Sequence, residues 1–304
     1  MKINKRSTSK NYKTVRPVSS GIEKILYDVF PLLDHGFIRI VDYMGNDQAV
    51  VQAARVSYGK GTKKVSEDRG LIRYLMRHRH STPFEMCEIK FHIKLPIFVA
   101  RQWIRHRTAS INEYSARYSV LDKEFYIPNR KDLAIQSQSN KQGRGEILSK
   151  NRSEEALKML KEDAEKNYGT YEYLLNETNE GKVLDKERKG LARELARINL
   201  TLNTYTQWYW KTNLHNLMNF VHLRADSHSQ YEIRVYAKVI LKIMRAWVPV
   251  TTEAFESYRS GSVELSSEAI KVVRMMINGK KIRQADSGLS TREWNELMKI
   301  LEKR

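Results

Sequence analysis

The feature that most constrains the fold is the stretch Cys87–Leu95, where apolar and polar residues alternate without a break. Its apolar positions are Cys87, Ile89, Phe91, Ile93 and Leu95. Because successive side chains of a strand point to opposite faces, the alternation predicts a strand with one face in a core. It also places Cys87 on the apolar face, where an inert core cysteine is favoured over a nucleophilic thiol.

Helical patterns follow on both sides of this strand. Asp47 is expected to cap a helix running to about Ser57, and Asp68 a second one. Thr82-Pro83-Phe84-Glu85 indicates a turn, because a proline biases the preceding residue away from helix. Pro96 opens a helix whose predicted inner face is Ile97, Ala100 and Ile104.

The second half of the chain is dominated by apolar periodicity. Residues Leu191, Leu195, Ile198 and Leu202 predict the inner face of a long helix that starts near Asp185 and ends at Trp208–Trp210. A helix is predicted around Leu214–Val221, and if it continues, Arg224 and His228 lie one turn apart on it. Another helix is predicted over Val235–Trp247. Strand and helix signals together predict a mixed α/β (α+β) fold, with a central, largely antiparallel sheet and long helices.

Composition divides the chain into three parts. Residues 1–20 are basic and acid-free, which is typical of a disordered tail. Residues 21–258 form the predicted main domain, with an insertion at about 129–182 whose 129–152 part looks like a mobile surface segment, followed by a helix capped by Ser153. Residues 259–304 are expected to form a helical extension, with helices at Ser267–Ile277 and after a Ser290/Glu293 capping box.

The net charge of +19 implies anionic partners, either nucleic acid or phosphorylated small molecules. Lysines are scattered while the dense motifs carry Arg, His, Asn and Glu, which favours small molecules.

No apolar run approaches the length of a bilayer span. The single cysteine fits a reducing cytoplasm. The histidines show no metal-ligand spacing, and we predict no metal site.

The densest polar motif is RHRTASINEYSARY, from Arg105 to Tyr118. If the run from Glu113 is extended, Glu113, Ser115 and Arg117 share one face and offer a carboxylate, a hydroxyl and a guanidinium. Such a set suits a sugar phosphate. A solvated charged strand is an equally good interpretation of the spacing alone.

This motif resembles the signature RHRxxSxNExSxRY of the flavin-dependent thymidylate synthases at every fixed position. The resemblance extends from near Gly36 to near Phe255. It implies conversion of dUMP to dTMP, with 5,10-methylenetetrahydrofolate as carbon donor, FAD as hydride carrier and NADPH as reductant. It also implies a homotetramer in which several subunits contribute to each active site.

The resemblance implies two sets of site residues. Those expected to bind FAD are Thr82, Glu85, Arg105, His106, Arg107, Thr108, Asn112, Glu113, Asn213, His215, Asn219, Leu223 and His228. Those expected to bind dUMP are Gln102, Arg105, Glu113, Tyr114, Ser115, Ala116, Arg117, Arg197 and Arg224. His215 stands where the family pattern leads us to expect an arginine, so FAD affinity is expected to depend on that position.

Arg224 is the expected catalytic residue, because a permanent cation against the uracil ring would stabilise charge on its N3–O4 edge without a thiolate. From spacing alone, an ion pair of Arg224 with Asp226 or Glu232 is the simpler interpretation. Two rival functions stay open: a basic nucleic-acid-binding protein that uses the tail, the insertion and Trp208–Trp210, and a flavin reductase without methyl transfer.

Overall fold

The computed structural model describes residues 16–56, 68–138 and 143–302. The chain forms two compact units that divide between Phe255 and Glu256. Most of the predicted tail lies outside the described residues, and the predicted boundaries at 20 and 258 stay predictions.

The first unit contains all seven strands of the described chain and most of its helices. The strands are β1 (Val29–Leu32), β2 (Gly36–Met44), β3 (Glu88–Pro96), β4 (Ser110–Glu113), β5 (Ala134–Gln136), β6 (Arg144–Ile147) and β7 (Tyr205–Asn213). The helices are α1 (Ser20–Glu23), α2 (Asp47–Val56), α3 (Asp68–Arg77), α4 (Thr82–Glu85), α5 (Ile97–Trp103), α6 (Lys150–Leu175), α7 (Arg193–Ala196), α8 (Leu214–Arg224), α9 (Tyr231–Trp247) and α10 (Pro249–Phe255).

Five strands form one sheet in the order β1-β2-β3-β7-β4, and every neighbouring pair is antiparallel. The alternating stretch forms β3, as predicted, at the centre of this sheet. Phe91 lies opposite Ile40 on one side and Trp210 on the other. The predicted mixed fold with a central antiparallel sheet is therefore confirmed.

Aromatic side chains join the apolar face of the sheet to the helices above it. Trp103 of α5 is fully buried and stacks on Phe220 of α8, with ring centroids 4.3 Å apart. It also meets Trp210 of β7 edge-on at 5.2 Å and Tyr236 of α9 at 5.8 Å. Large aromatic rings bury much apolar area, so this cluster holds the end of α5 firmly in place.

The predicted long helix from Asp185 is wrong. The chain there forms only α7 and a 3₁₀ turn at Arg197–Asn199, and the run ending at Trp210 is the strand β7. Trp208 and Trp210 are buried against the core, which removes them as a base-stacking platform. The Leu191–Leu202 row is exposed rather than inward-facing.

The predicted loose insertion is ordered where the structure describes it. The strands β5 and β6 pair as an antiparallel β5–β6 hairpin, and residues 139–142 lie outside the described residues. Helix α6 starts at Lys150 with Ser149 as its N-cap residue, so Ser153 is a buried helical residue and not the cap. Its hydroxyl donates instead to the Leu148 carbonyl at 3.3 Å.

Several helix ends also differ from prediction. Asn46 accepts from the Ala49 amide at the start of α2, while Asp47 accepts from the Val250 and Thr251 amides and so caps α10. Thr82–Glu85 forms one helical turn. On α5 the buried residues are Val99, Ala100 and Trp103, whereas Ile104 is exposed.

The second unit contains α11 (Ser267–Ile277) and α12 (Thr291–Glu302), both as predicted. The capping box is present: Glu293 donates its amide to Ser290 Oγ at 3.2 Å, and its carboxylate accepts from the Ser290 amide at 3.0 Å. The buried hydrophobic residues of this unit are Ala269, Val272, Leu289 and Leu297.

Candidate active site

The cationic segment 105–108 leaves the end of α5 beside the buried Trp103. The His106 amide donates to the Trp103 carbonyl at 2.9 Å, and the Thr108 carbonyl accepts from Thr212 Oγ1 on β7 at 3.0 Å. The imidazole of His106 meets Phe220 edge-on at 4.9 Å. The backbone of these cations is thus held by a helix end and a strand, which is a rigid way to present side chains.

A first cavity of about 320 Å³ opens beside this segment. Its lining residues are Arg105, His106, Arg107, Thr108, Trp210, Thr212, Asn216, Asn219, Leu223 and Arg224. All of these except Trp210, Thr212 and Asn216 were expected in the site. Asn216 could have been found, since it lies three residues before Asn219 on one helix face. Trp210 and Thr212 were missed because β7 was interpreted as a helix end.

A second cavity of about 630 Å³ lies against the other side of the end of α8. Its lining residues are Gln102, His222, Leu223, Arg224, Asp226, His228, Ser229 and Gln230. Leu223 and Arg224 line both cavities, so the Arg224 guanidinium belongs to the wall between them. The structure therefore brings Gln102, Arg224 and His228 together, although α8 ends at Arg224 and does not continue to His228.

Arg224 is held by a histidine and not by a carboxylate. Its Nε–H donates to His106 Nε2 at 3.0 Å, which requires a neutral imidazole with its proton on Nδ1. Burial, with the Arg224 charge beside it, lowers the pKa of His106 to about 4. Burial also lowers the pKa of Arg224. In the described part of the chain, Asp226 pairs with His228 and Glu232 with Arg144, so the ion pair suggested by spacing is not formed.

The residues expected at the nucleotide phosphate form a separate group, which we call the phosphate corner (residues 113–117 with Arg197). The strand β4 ends at Glu113, and the chain then turns, so the predicted shared face of Glu113, Ser115 and Arg117 is wrong. Arg117 lies 3.4 Å from Glu194, and Arg197 Nε donates to the Glu194 carbonyl at 3.4 Å. Neither cavity is lined by the corner.

Within the corner, most polar groups have partners in their own chain. Tyr114 donates to the Val120 carbonyl at 3.0 Å, and Glu113 accepts from Thr206 at 2.8 Å. Ala116 is buried, and Ser115 Oγ accepts from the Arg117 amide at 3.3 Å. The corner is therefore a preformed turn that presents two guanidinium groups to solvent.

The remaining expected residues lie outside both cavities. Thr82 and Glu85 belong to α4, which packs against α8. Asn112 lies opposite Tyr209 in the sheet. Asn213 caps α8 by accepting from the Asn216 amide at 2.9 Å, and His215 follows in its first turn.

Cys87 is buried at the other end of α8, where its carbonyl accepts from the Leu214 amide at 2.8 Å. Burial, with Asp47 nearby, raises the pKa of its thiol to about 12. The preference for an inert cysteine thus agrees with its surroundings. Among residues 16–56, 68–138 and 143–302, no cluster of His, Cys, Asp and Glu is arranged to hold a metal, and no helix combines the length and apolarity needed to cross a bilayer.

Comparison with known proteins shows the family of this chain. Residues 39–250 match the family model described as thymidylate synthase complementing protein. A flavin-dependent thymidylate synthase of Gluconobacter oxydans is 62% identical over 289 residues, covering 95% of this chain and 92% of that protein. One from Rickettsia bellii is 58% identical over 293 residues, covering 96% of this chain and all of its own.

A solved structure shows the same fold. The UMP/dUMP methylase PolB from Streptomyces cacaoi, crystallised with 5-Br UMP, superposes with a TM-score of 0.65 at 34% identity. The superposition covers 75% of this chain and 97% of PolB. Fold and site together define a nucleotide-methylating class of enzyme. The chain belongs to the flavin-dependent thymidylate synthase family.

The insertion at about 129–182 and the C-terminal extension at 259–304 are expected to exceed the family pattern. Because the Gluconobacter relative aligns with 95% of this chain, most of both segments is shared with it.

Proposed function

We propose that this protein carries out the reductive methylation of dUMP to dTMP, with 5,10-methylenetetrahydrofolate as carbon donor, FAD as hydride carrier, NADPH as reductant and no cysteine nucleophile. The observation that carries the proposal is the state of Arg224: a half-buried guanidinium in the wall of two cavities, bonded to a neutral histidine and without a carboxylate partner among the described residues. A cation without a counter-ion in a cavity wall is suited to an anionic ligand.

Methylation at uracil C5 requires such a cation. Uracil C5 is a weak nucleophile, and charge drawn onto the N3–O4 edge makes the ring electron-rich. The Arg224 guanidinium would stabilise that charge, and because arginine stays protonated it cannot take up the ring proton. His106 accepts one of its N–H groups and thereby orients the others. We assign Arg224 the catalytic role and His106 a positioning role.

The first cavity fits part of a flavin dinucleotide. The side chains of Arg105 and Arg107 bond to no described residue, which leaves two cations for a pyrophosphate. Trp210, whose buried Nε1 has no partner among the described residues, lines the same cavity. Arg105, His106, Arg107, Thr108, Asn219 and Leu223 would hold the group, with His228 at the second cavity. A bound flavin supplies the hydride that converts the transferred carbon to a methyl group.

We propose that the site is completed by other copies of the chain in a homotetramer. The cavity of about 320 Å³ lies at the low end of ligand sites, and the phosphate corner lies outside it. The apolar row Leu191, Leu195, Ile198 and Leu202 is exposed by 44% to 76%, which is typical of a surface that another subunit covers. A corner from one subunit facing Arg224 of another would assemble the predicted dUMP set, including Gln102, Glu113, Ser115, Arg117 and Arg197.

An assay for dTMP and tetrahydrofolate tests the proposal. Purified protein with FAD, NADPH, dUMP and methylenetetrahydrofolate should form both products, and omission of FAD should abolish them. Oxidation of NADPH with FAD but no dTMP would establish a flavin reductase instead. A cytoplasmic location stays a prediction from the single cysteine.

The assembly is tested separately with Ile198→Glu, which places a charge in the exposed row. We expect the assembly to dissociate in sedimentation velocity and dTMP formation to fall with it, while Met159→Glu, a matched change at an exposed methionine of α6, changes neither. A tetramer that survives Ile198→Glu and a companion Leu195→Glu would contradict this interface.

A further inference from the structure

A buried carboxylate that the proposed mechanism does not use lies behind the second cavity. Glu232, in the first turn of α9, is 2% exposed. Its Oε1 accepts from Arg144 at 2.5 Å and from the Tyr126 hydroxyl at 3.0 Å. Its Oε2 accepts from Arg144 at 2.7 Å and from Gln230 Nε2 at 2.9 Å. Three donor groups, the Arg144 guanidinium among them, make four hydrogen bonds to the two carboxylate oxygens, so each oxygen accepts two.

Both Glu232 oxygens act as hydrogen-bond acceptors, and this fixes the orientation of the Gln230 amide and then of the Gln102 amide. Gln230 must face Glu232 with its NH₂ group, so its Oε1 points away. That oxygen accepts from Gln102 Nε2. Gln102 must therefore keep its NH₂ group towards Gln230, and its Oε1 is left for other partners. Gln102 and Gln230 both line the second cavity with Arg224.

We infer that Glu232 is a positioning residue: through Gln230 it holds Gln102 in the one amide orientation that presents an oxygen acceptor at the nucleotide site. This inference rests on the proposed function, in which Gln102 contacts dUMP. We call Gln102, Gln230 and Glu232 the amide relay. Without the carboxylate, both amides can turn over, and Gln102 then presents a donor and an acceptor about equally often.

The inference assigns a role to the β5–β6 hairpin. Arg144 is the first residue of β6, and its guanidinium reaches the Glu232 carboxylate across the segment that precedes α9. It also lies over the Tyr231 ring, 5.8 Å from the centroid. The hairpin thus supplies the cation that pairs with the buried Glu232 carboxylate, and this segment of the insertion supports the site.

The test uses the FAD-loaded enzyme and Glu232→Gln, which keeps the shape of the side chain and removes its acceptor-only character. We expect the dUMP KM and the calorimetric Kd to rise about five- to tenfold, as for one misdirected hydrogen bond, while kcat changes by less than about twofold. Arg144→Met should give the same shift, and Arg144→Lys, which keeps a cation, should recover most of the affinity.

A double-mutant cycle separates positioning from general weakening. Because Glu232 acts through Gln102, adding Glu232→Gln to Gln102→Met should leave the dUMP Kd where Gln102→Met alone places it. The matched control is Asp68→Asn, which neutralises the carboxylate of another short ion pair, to Arg55 at 2.5 Å. It should lower the melting temperature without changing the dUMP Kd.

Additive effects of Glu232→Gln and Gln102→Met, or an unchanged dUMP Kd in a folded Glu232→Gln enzyme, would overturn the inference. If Glu232→Gln does not fold, Gln230→Met breaks the relay at a less buried position, and the same non-additivity with Gln102→Met is required of it. A wild-type enzyme that does not bind dUMP would contradict the proposed function itself, which distinguishes the two failures.

Discussion

The two ends of α8 present the two groups that could activate a pyrimidine, and their surroundings are opposite. At the amino end, the Cys87 thiol is buried, with its pKa raised to about 12, and the Cys87 carbonyl accepts from the Leu214 amide. At the carboxyl end, Arg224 lines two cavities. A helix rises 1.5 Å per residue, so ten residues separate these ends by ~15 Å. The thiol and the guanidinium are therefore too far apart to act on one pyrimidine ring.

The two ends of α8 differ in packing: the amino end is closely packed and the carboxyl end borders the cavities. Gly45 has a positive φ of 82° and packs closely against Cys87, which leaves the thiol no room for a substrate. The Arg224 end is instead open, and its polar partner is a neutral histidine. Catalysis is thus expected to depend on one end only, and the following experiments test that division.

The largest effect is expected from Arg224→Ala. Removing the cation should lower kcat for dTMP formation by about 10²–10³-fold, the range found when one transition-state donor is lost, while the protein folds and keeps its flavin. The measurement is dTMP formation at saturating dUMP, with flavin absorbance as the check on binding. Arg101→Ala, an exposed arginine of α5 outside both cavities, serves as control. Near-normal turnover would show that Arg224, at the carboxyl end of α8, is not the catalytic group.

At the other end, Gly45→Ala should affect stability and not chemistry. Its Cβ would lie 2.7 Å from Cys87 Sγ on a backbone that disfavours side chains, so we expect a loss of about 2 kcal/mol in the free energy of unfolding. Dissociation constants for dUMP should be unchanged. Gly169→Ala, in α6 with open space around it, should be neutral or slightly stabilising. Recovery of part of the loss by Cys87→Ala would locate the clash.

The histidine behind Arg224 gives a pH signature. Unfolded His106 binds a proton near pH 6.5, whereas the folded pKa is about 4. Between these values the unfolded state binds more protons, so this contribution to stability is present above pH 6.5 and lost as the pH falls to about 4. Discounted for solvent screening, the loss is about 1 kcal/mol.

Denaturant unfolding at pH 7 and pH 4.5 measures this loss in the free energy of unfolding. His106→Gln keeps an acceptor for Arg224 without a titrating group in this range, and should lose less stability over the same interval. Equal losses in the two proteins would show that His106 is not the neutral partner of Arg224.

The smallest effect is expected from Cys87→Ala. Since the thiol is buried and protonated, dTMP formation should stay within about twofold of the parent enzyme, and only a modest loss of stability should follow from the small cavity. A collapse of activity in a variant with unchanged flavin content would restore a nucleophilic role for Cys87.

Sequence patterns predicted the secondary structure correctly where it depends mainly on the residues of the element itself. The alternation of β3, the apolar face of α8 and the capping box of α12 all appear in the structure. The row from Leu191 to Leu202 was misleading because its residues have helical spacing but lie on an exposed surface. The strand β7 was missed because its alternating Thr206, Trp208 and Trp210 gain their stability from pairing with β3 and β4.

The sequence by itself determined the family, through the motif Arg105–Tyr118, and it determined that Cys87 would lie in a core. Only the tertiary structure decided that Arg224 is held by His106, that Arg144 reaches Glu232, and that the phosphate corner turns away from both cavities within one chain. The physical reason is that these contacts join residues 88 to 118 positions apart. No periodicity within one element can report such a contact, because it exists only when the sheet and the helices have packed.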